Sequence, residues 1–458
     1  MVATSNPLAV EAALWALGEG GTAMDAALAS DAVLGVVQPM STGVGGDVFC
    51  LVDDGREVTG FNGSGAAPAK MSTEGWSDQS PFTVTVPGVV DGWAQLSTRY
   101  GRLGLTKVLE PAIRLARDGF PLGAAASRTW RAESKRWSGF PPLPKEPQGG
   151  VRIVNPDLAE TLAAIAAGGR DAHYEGPFAE ATVAAVGHMV LDDLAAHRGE
   201  WVDPISTTYR GHEVVELPPN GQGAAVLVAL NELDEKPLGP PRDPETVDRT
   251  MQAVRRGMET AYAQVADPRC SPVNPFWEGR DTVYTAVAAD GMCVSLISSV
   301  FMAFGSGIWA AGTFMQNRGF GFSLDLDHPN AAAEGKRPFH TIIPGLVRRD
   351  GQVEVVFGVV GGPMQPQGQV QVLTHLYDHA MDAQHALDEP RAFWVGGDTL
   401  ALEPGLDADA LAALGWDAIT IGEHWFGVGQ VIRIHDDGWL EGGSDPRHDG
   451  VAVGRLNT

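Results

Sequence analysis

The sequence predicts a mixed α/β (α+β) protein in which sheets lie between helical layers. Three observations carry this. The N-terminal stretch reads as two Ala-rich helices, the middle of the chain is rich in helix formers, and from Thr282 onward the character turns to β-rich runs. Helix again follows those runs, which is the pattern expected when sheets are covered on both outer faces.

Residues 6–17 read as an amphipathic helix led by Pro7, and Gly20-Gly21 stops it. Thr22 stands before Asp25 at the spacing of a capping box, opening a second helix that ends before Pro39. Residues 48–53 and 57–62 form two strands around Asp54-Gly55, a hairpin signal. Helices are expected over 158–167, 180–190, 224–233 and 248–265, with 235–247 the most linker-like stretch. Strands follow at 282–289 and Met292–Ser299, then at 341–347 and 353–359. A helix near 369–380 and a late strand at 430–435 end the pattern.

Bulk properties narrow the function classes. A chain of 458 residues with 44% hydrophobic side chains can bury a full core as one large domain or two ordinary ones. A formal net charge of −25 repels phosphate backbones and anionic lipid, so neither nucleic acid nor membrane is an expected partner. Cys50, Cys270 and Cys293 form no CxxC pair and read as reduced thiols packed as small hydrophobes. The N-terminus has no basic, apolar leader, and no apolar run reaches the roughly 20 residues of a spanning helix. A cytoplasmic location is expected by elimination.

The chemistry centres on one hairpin. Asp290-Gly291 is a type I′ turn signal, which pairs Ala289 with Met292. Counting outward in register sets Thr282 opposite Ser299, so two hydroxyls meet at the open end of the hairpin. A hydroxyl needs a neighbouring base to act as a nucleophile. If the Asp281–Thr282 bond were cut, Thr282 would gain its own α-amine. An α-amine has an ordinary pKa of about 7.7–8.0 and can accept the hydroxyl proton. Read alone, Thr282 is an ordinary strand threonine. Gly361-Gly362, after an apolar strand, would in isolation be a turn, although glycines also let backbone N–H groups approach an oxyanion closely.

A series of short motifs in order changes that balance. They include Asn6-Pro7-Leu8-Ala9, Gly20-Gly21-Thr22-Ala23-Met24-Asp25-Ala26-Ala27, Gln38-Pro39 and Gly43-Val44-Gly45-Gly46. Val86-Pro87-Gly88-Val89-Val90, Tyr100-Gly101-Arg102-Leu103 and Pro218-Pro219-Asn220-Gly221-Gln222-Gly223 follow. The second half adds Asp281-Thr282-Val283-Tyr284, Phe304-Gly305-Ser306-Gly307, Gly361-Gly362 and Gly443-Ser444-Asp445-Pro446-Arg447 with Asp449-Gly450. With these, the chain resembles the γ-glutamyltransferase family over nearly its whole length. The resemblance implies a four-layer αββα sandwich of the N-terminal-nucleophile hydrolase type. It implies self-cleavage between Asp281 and Thr282, giving a large subunit, 1–281, and a small one, 282–458, that stay together as one intertwined fold. Thr282 matches the nucleophile, Ser299 a second hydroxyl that contacts it, and Gly361 and Gly362 the oxyanion hole. The implied partners are a small-molecule amide and the two subunits of one precursor; a homodimer of processed units is compatible with it, and no cofactor is implied.

The departures from the family pattern bear on substrate. The family usually carries a Thr-Thr-His run at the nucleophile, and matching Thr282 to it needs a one-residue shift. Ser64 falls at the glutamate-binding arginine, Gly321 at the acidic residue for the substrate amine, and Phe301 at an asparagine that helps hold it. His340-Thr341 replace a serine pair that holds the carboxylate, and Arg318 stands where glutamine is common. This looks more like the γ-glutamyltransferase-like branch that includes oxamate amidohydrolases. The expectation is an amidohydrolase or acyltransferase acting on small carboxylate-bearing amides without an α-amine, with Arg318, His340 and Thr341 as donors. Arg318 pairing with an acid such as Asp325 is the alternative for that residue. A second class, an uncleaved and inactive ligand-binding or scaffold relative, also stays open. His375 and His379 sit four apart in a helix with no third ligand evident and are read as a solvated face rather than a metal site. Residues 43–46 lack the Lys-Ser/Thr of a phosphate loop. Asp445, Arg447 and Asp449 fit either a site cluster or a salt-bridged turn.

Overall fold

The computed structural model describes residues 1–137, 143–267, 282–422 and 425–455. Asp281 and Cys270 lie outside these residues.

Two antiparallel sheets stack face to face. The first runs, in spatial order, Val451–Val453, Val2–Thr4, Val283–Ala289, Met292–Ser299, Asp47–Asp53, Val58–Asn62 and Glu200–Val202. The second runs Leu440–Ser444, Val428–Ile434, Gln352–Val360, Gly345–Arg349, His212–Glu216 and Ile205–Tyr209. Side-chain alternation explains how each sheet serves two cores. In Val283–Ala289, Val283 and Val287 face a helical layer, while Tyr284, Ala286 and Ala288 face the other sheet. Phe49 and Leu51 join that inter-sheet layer with Ile297, Leu346, Val356 and Ile432.

Helices Pro7–Gly18 and Ala23–Val37 cover the first sheet. Both begin as the sequence dictates. Asn6 accepts from the N–H of Leu8, and Thr22 with Asp25 forms a reciprocal capping box. Helices Gly223–Asp234, Pro244–Gln264 and Met364–Tyr377 cover the second sheet. The result is the four-layer αββα sandwich. No helix among the described residues is long and apolar enough to cross a membrane.

Several boundaries differ from the sequence reading, each for a local reason. The strand expected at 341–347 starts only at Gly345, because Pro344 has no N–H for a ladder. The helix expected over 180–190 is Pro177–Val186, closed by Gly187 in the left-handed region at φ +81°. The sheet pattern does not end with the strand Val428–Ile434. Leu440–Ser444 and Val451–Val453 follow, and each adds an edge to a different sheet. His375 does not sit on a solvated face: it is buried, because Met364–Tyr377 has neighbours on nearly all sides. Burial holds its imidazole near a pKa of about 3, with His379 nearby adding to the effect, so it stays neutral.

Candidate active site

Thr282 enters the site from the hairpin. Asp290 and Gly291 both have positive φ, +50° and +77°, as a type I′ turn requires. The ladder then runs without a bulge from Met292 opposite Ala289 to Ser298 opposite Val283. The next step in that register is Thr282 opposite Ser299. Thr282 is 7% exposed and Ser299 is fully buried. The Ser299 hydroxyl oxygen accepts the N–H of Phe301 at 2.8 Å, and Phe301 leaves the strand at φ +78°.

The second component is the turn between the strand Gln352–Val360 and the helix Met364–Tyr377. Gly361 and Gly362 have φ of +126° and +58°, conformations that L side chains rarely adopt. A Cβ on Gly361 would also lie 3.0 Å from the Cα of Gly427. Among the described residues no hydrogen-bond acceptor takes the N–H of either glycine. The Gly362 carbonyl accepts from Gln222 Nε2 at 2.8 Å, which also donates to the Thr341 carbonyl at 2.7 Å. Thr282 and Gly361 line one cavity of about 380 Å³, together with Ser5, Gln38, Ser41, Arg128, Trp425 and His448 among others. A hydroxyl and a glycine turn in one cavity are the parts that acyl chemistry calls for.

Two residues of this region were missed by the sequence reading. Gln365, fully buried, donates from Nε2 to the Thr282 hydroxyl oxygen at 3.2 Å. Asp47, also fully buried, anchors a polar cluster beside the hairpin, where it faces Ser299 across the ladder. The available signals were a glutamine just after Gly361-Gly362 and an acid heading an apolar strand after Gly45-Gly46.

The Asp47 cluster gathers most of the sequence-predicted substrate residues. Asp47 Oδ1 accepts the N–H groups of Gly65 and Gly88 at 3.3 and 3.1 Å. Its Oδ2 lies 3.2 Å from His340 Nε2. Burial pushes the Asp47 carboxyl up to about 7, against the pull of Arg318 and those two N–H groups. Burial also holds His340 well below the usual imidazole range, reinforced by Arg318 and Arg337. The His340–Asp47 contact is therefore a hydrogen bond of a neutral ring and not an ion pair; in the tautomer whose Nδ1 accepts the N–H of Ile342, Nε2–H donates. Arg318 is fully buried and donates from Nη1 to the Thr341 hydroxyl at 2.9 Å. Its guanidinium lies 4.2 Å from the centre of the Phe301 ring. Burial depresses its pKa to about 9, with Asp47 opposing. Its Nε and Nη2 have no described partner. Asp325 is exposed and makes no ion pair with it among the described residues.

Arg318, His340, Thr341 and Phe301 thus come together around Asp47. Ser64 lies next to them, bonded to Asn62 at 2.9 Å and to Asn220 at 3.2 Å. None of these five lines the cavity that holds Thr282. The Asp445 region is a salt-bridged turn. Asp445 pairs with Arg391 at 2.7 Å and Arg447 at 3.0 Å, and Asp449 caps the helix Ala124–Ala132 through the N–H of Ala125 at 2.8 Å. Arg447 and His448 meanwhile line the cavity.

This buried ion network yields a stability expectation. Burial alone would raise the Asp445 carboxyl, but Arg391, Arg447 and two N–H donors outweigh it and hold it below the usual range. Its contribution is present above the unfolded pKa of about 3.9 and is lost as pH falls through the lower folded value. Asp445→Asn is expected to cost about 3 kcal/mol at pH 7, since it strands buried guanidinium charge. Denaturant titrations should show that gap closing only below about pH 4; equal midpoints at pH 7 would contradict the pairing.

Comparison with known proteins shows the family. The family model described as gamma-glutamyltranspeptidase matches residues 9–279 and 273–455. A glutathione hydrolase-like YwrD proenzyme of Bacillus subtilis is 35% identical, over 99% of this chain and 98% of its own length. An oxamate amidohydrolase proenzyme of Klebsiella pneumoniae is 32% identical over the same shares. The crystal structure of a cephalosporin acylase from Bacillus halodurans superposes with a TM-score of 0.94 at 36% identity, covering 100% of this chain and 96% of that one. These relatives set aside the reading of an inactive scaffold: the chain belongs to the gamma-glutamyltranspeptidase family, a family of proenzyme-derived hydrolases and acylases, and is an enzyme.

Proposed function

We propose that this chain matures by cutting itself between Asp281 and Thr282, and that Thr282 then attacks small amides. The observation that carries the reading is the shared cavity of Thr282 and Gly361, with the Thr282 hydroxyl at the head of a buried strand. In maturation, the Thr282 Oγ1 attacks the Asp281 carbonyl, the peptide bond gives way to an ester, and water hydrolyses that ester. The products are a carboxylate on Asp281 and a free α-amine on Thr282. In turnover the amine takes the hydroxyl proton while Oγ1 adds to the substrate carbonyl. The N–H groups of Gly361 and Gly362 receive the oxyanion. The proton passes to the leaving amine, and an acyl ester remains on Thr282. Water or a second amine then takes the acyl group, giving hydrolysis or transfer.

The substrate we propose carries a carboxylate but no α-amine, as oxamate does; one of the relatives above is named an oxamate amidohydrolase proenzyme and another a cephalosporin acylase. An ammonium needs an acidic partner when buried. In the cluster around Arg318 the acid is Asp47, whose Oδ1 already accepts from Gly65 and Gly88 and whose Oδ2 is bonded to His340; Glu133 lines the Thr282 cavity. Gly321 and Phe301 offer none. Arg318 keeps Nε and Nη2 for a carboxylate, with the Thr341 hydroxyl beside them; because this buried pair does not line the Thr282 cavity, the reading requires the substrate carboxylate to reach beyond that cavity's present walls. The expected result is a kcat/KM for oxamate and related monoamides well above that for a γ-glutamyl anilide. Arg318→Gln should lower the first by about 10-fold or more. A strong preference for the γ-glutamyl compound would overturn the substrate reading.

A further inference from the structure

Gln365 occupies the first turn of the helix Met364–Tyr377, directly after the glycine turn, and is fully buried. Its amide orientation is fixed by its surroundings. Oε1 accepts the N–H of Ile343 at 3.1 Å, so Nε2 is the atom that faces Thr282 Oγ1 at 3.2 Å. Turning the amide over would set two donors against each other at Ile343. At Thr282, therefore, Gln365 acts as a donor only. Its main chain is tied to the same place, because its N–H donates to the Gly362 carbonyl at 3.1 Å. One residue thus links the hydroxyl oxygen of Thr282 to the glycine turn.

We propose that Gln365 is the positioning residue for the nucleophile, in self-cleavage and in turnover alike. This rests on the reading of Thr282 given above. By donating to Oγ1, Gln365 occupies one lone pair and leaves the hydroxyl proton to point away from itself. In the matured chain that proton is then free for the Thr282 α-amine. As the proton leaves, the Gln365 N–H stabilises the negative charge growing on Oγ1, and the remaining lone pair is held for the carbonyl carbon. A carboxylate at this position could not do the same, because it would accept the hydroxyl proton and turn it from the amine.

Two variants of the full-length chain test this, each checked for a wild-type melting transition. Gln365→Met keeps the volume and removes the donor. It should slow self-cleavage about 10-fold and lower kcat by a similar factor, while KM stays within about twofold. Gln365→Glu can donate only when protonated. Its activity relative to wild type should therefore rise as pH falls from 7 to 5, a trend that Gln365→Met should lack. Gln365→Glu carries the test alone if the methionine variant does not fold. Wild-type rates of cutting and turnover in both variants, or a flat pH ratio for Gln365→Glu, would overturn the inference while leaving Thr282 as nucleophile. A wild-type chain that is not cut before Thr282 would overturn both readings.

Discussion

Thr282→Ala is expected to give one intact, folded chain with no amidase activity. The wild type should show two bands on a denaturing gel, one of them beginning at Thr282. The reason for so large an effect is that one oxygen serves two reactions. Without Oγ1 there is no attack on the Asp281 carbonyl, so the α-amine is never freed, and the substrate meets neither nucleophile nor base. Folding should be spared. Thr282 ends a strand whose other side chains, Val283, Tyr284, Ala286 and Val287, make the packing contacts. Thr282→Ser restores a hydroxyl and should restore part of both processing and turnover. Cleavage of Thr282→Ala at the same bond, or wild-type cleavage elsewhere, would remove Thr282 from its role.

The second large effect is expected at the glycine turn. Gly361→Ala must either hold an L residue at φ +126° with its Cβ against Gly427, or rotate the peptide and turn the N–H away. The first outcome is strained and crowded against Gly427, so the chain is expected to take the second, which removes a donor from the cavity that holds Thr282. Loss of one oxyanion donor lowers kcat by about 100–1000-fold. We expect a fall of that order in kcat with KM little changed, and a matching delay in self-cleavage, because that step passes through the same kind of oxyanion. Steady-state kinetics on the alanine variant, alongside its melting curve, check this. A folded variant with kcat within a few-fold of wild type would place the oxyanion elsewhere.

The parts of the site that could be read from sequence are those fixed by short-range rules. Asp290-Gly291 determines a two-residue turn, and a bulge-free ladder carries its register out to Val283 and Ser298. Helix starts at Asn6 and Thr22 follow from caps a few residues away. Asp47 and Gln365 obey no such rule. Asp47 meets His340 across 293 residues, and Gln365 meets Thr282 across 83. Only the stacking of two sheets brings them together. The reading of His375 failed for a related cause. A helix with polar residues suggests an outer surface, yet Gln367 and Gln371 turn inward and bond carbonyls of Trp394 and Ala392. Arg318 was legible as a cation in the right stretch, but its burial was not.

The order of strands has a consequence for the life of the protein after cutting. Val2–Thr4 lies between Val451–Val453 and Val283–Ala289, Met292–Ser299 pairs with Asp47–Asp53, and Gly345–Arg349 pairs with His212–Glu216. A break before Thr282 would leave neither fragment with a complete sheet. Each alone would expose bare strand edges, which invite aggregation. Folding must therefore come before the cut. A chain that once could refold alone becomes two that must find each other, and recovery after denaturation becomes dependent on concentration. The mature protein would then endure by unfolding slowly, not by folding again.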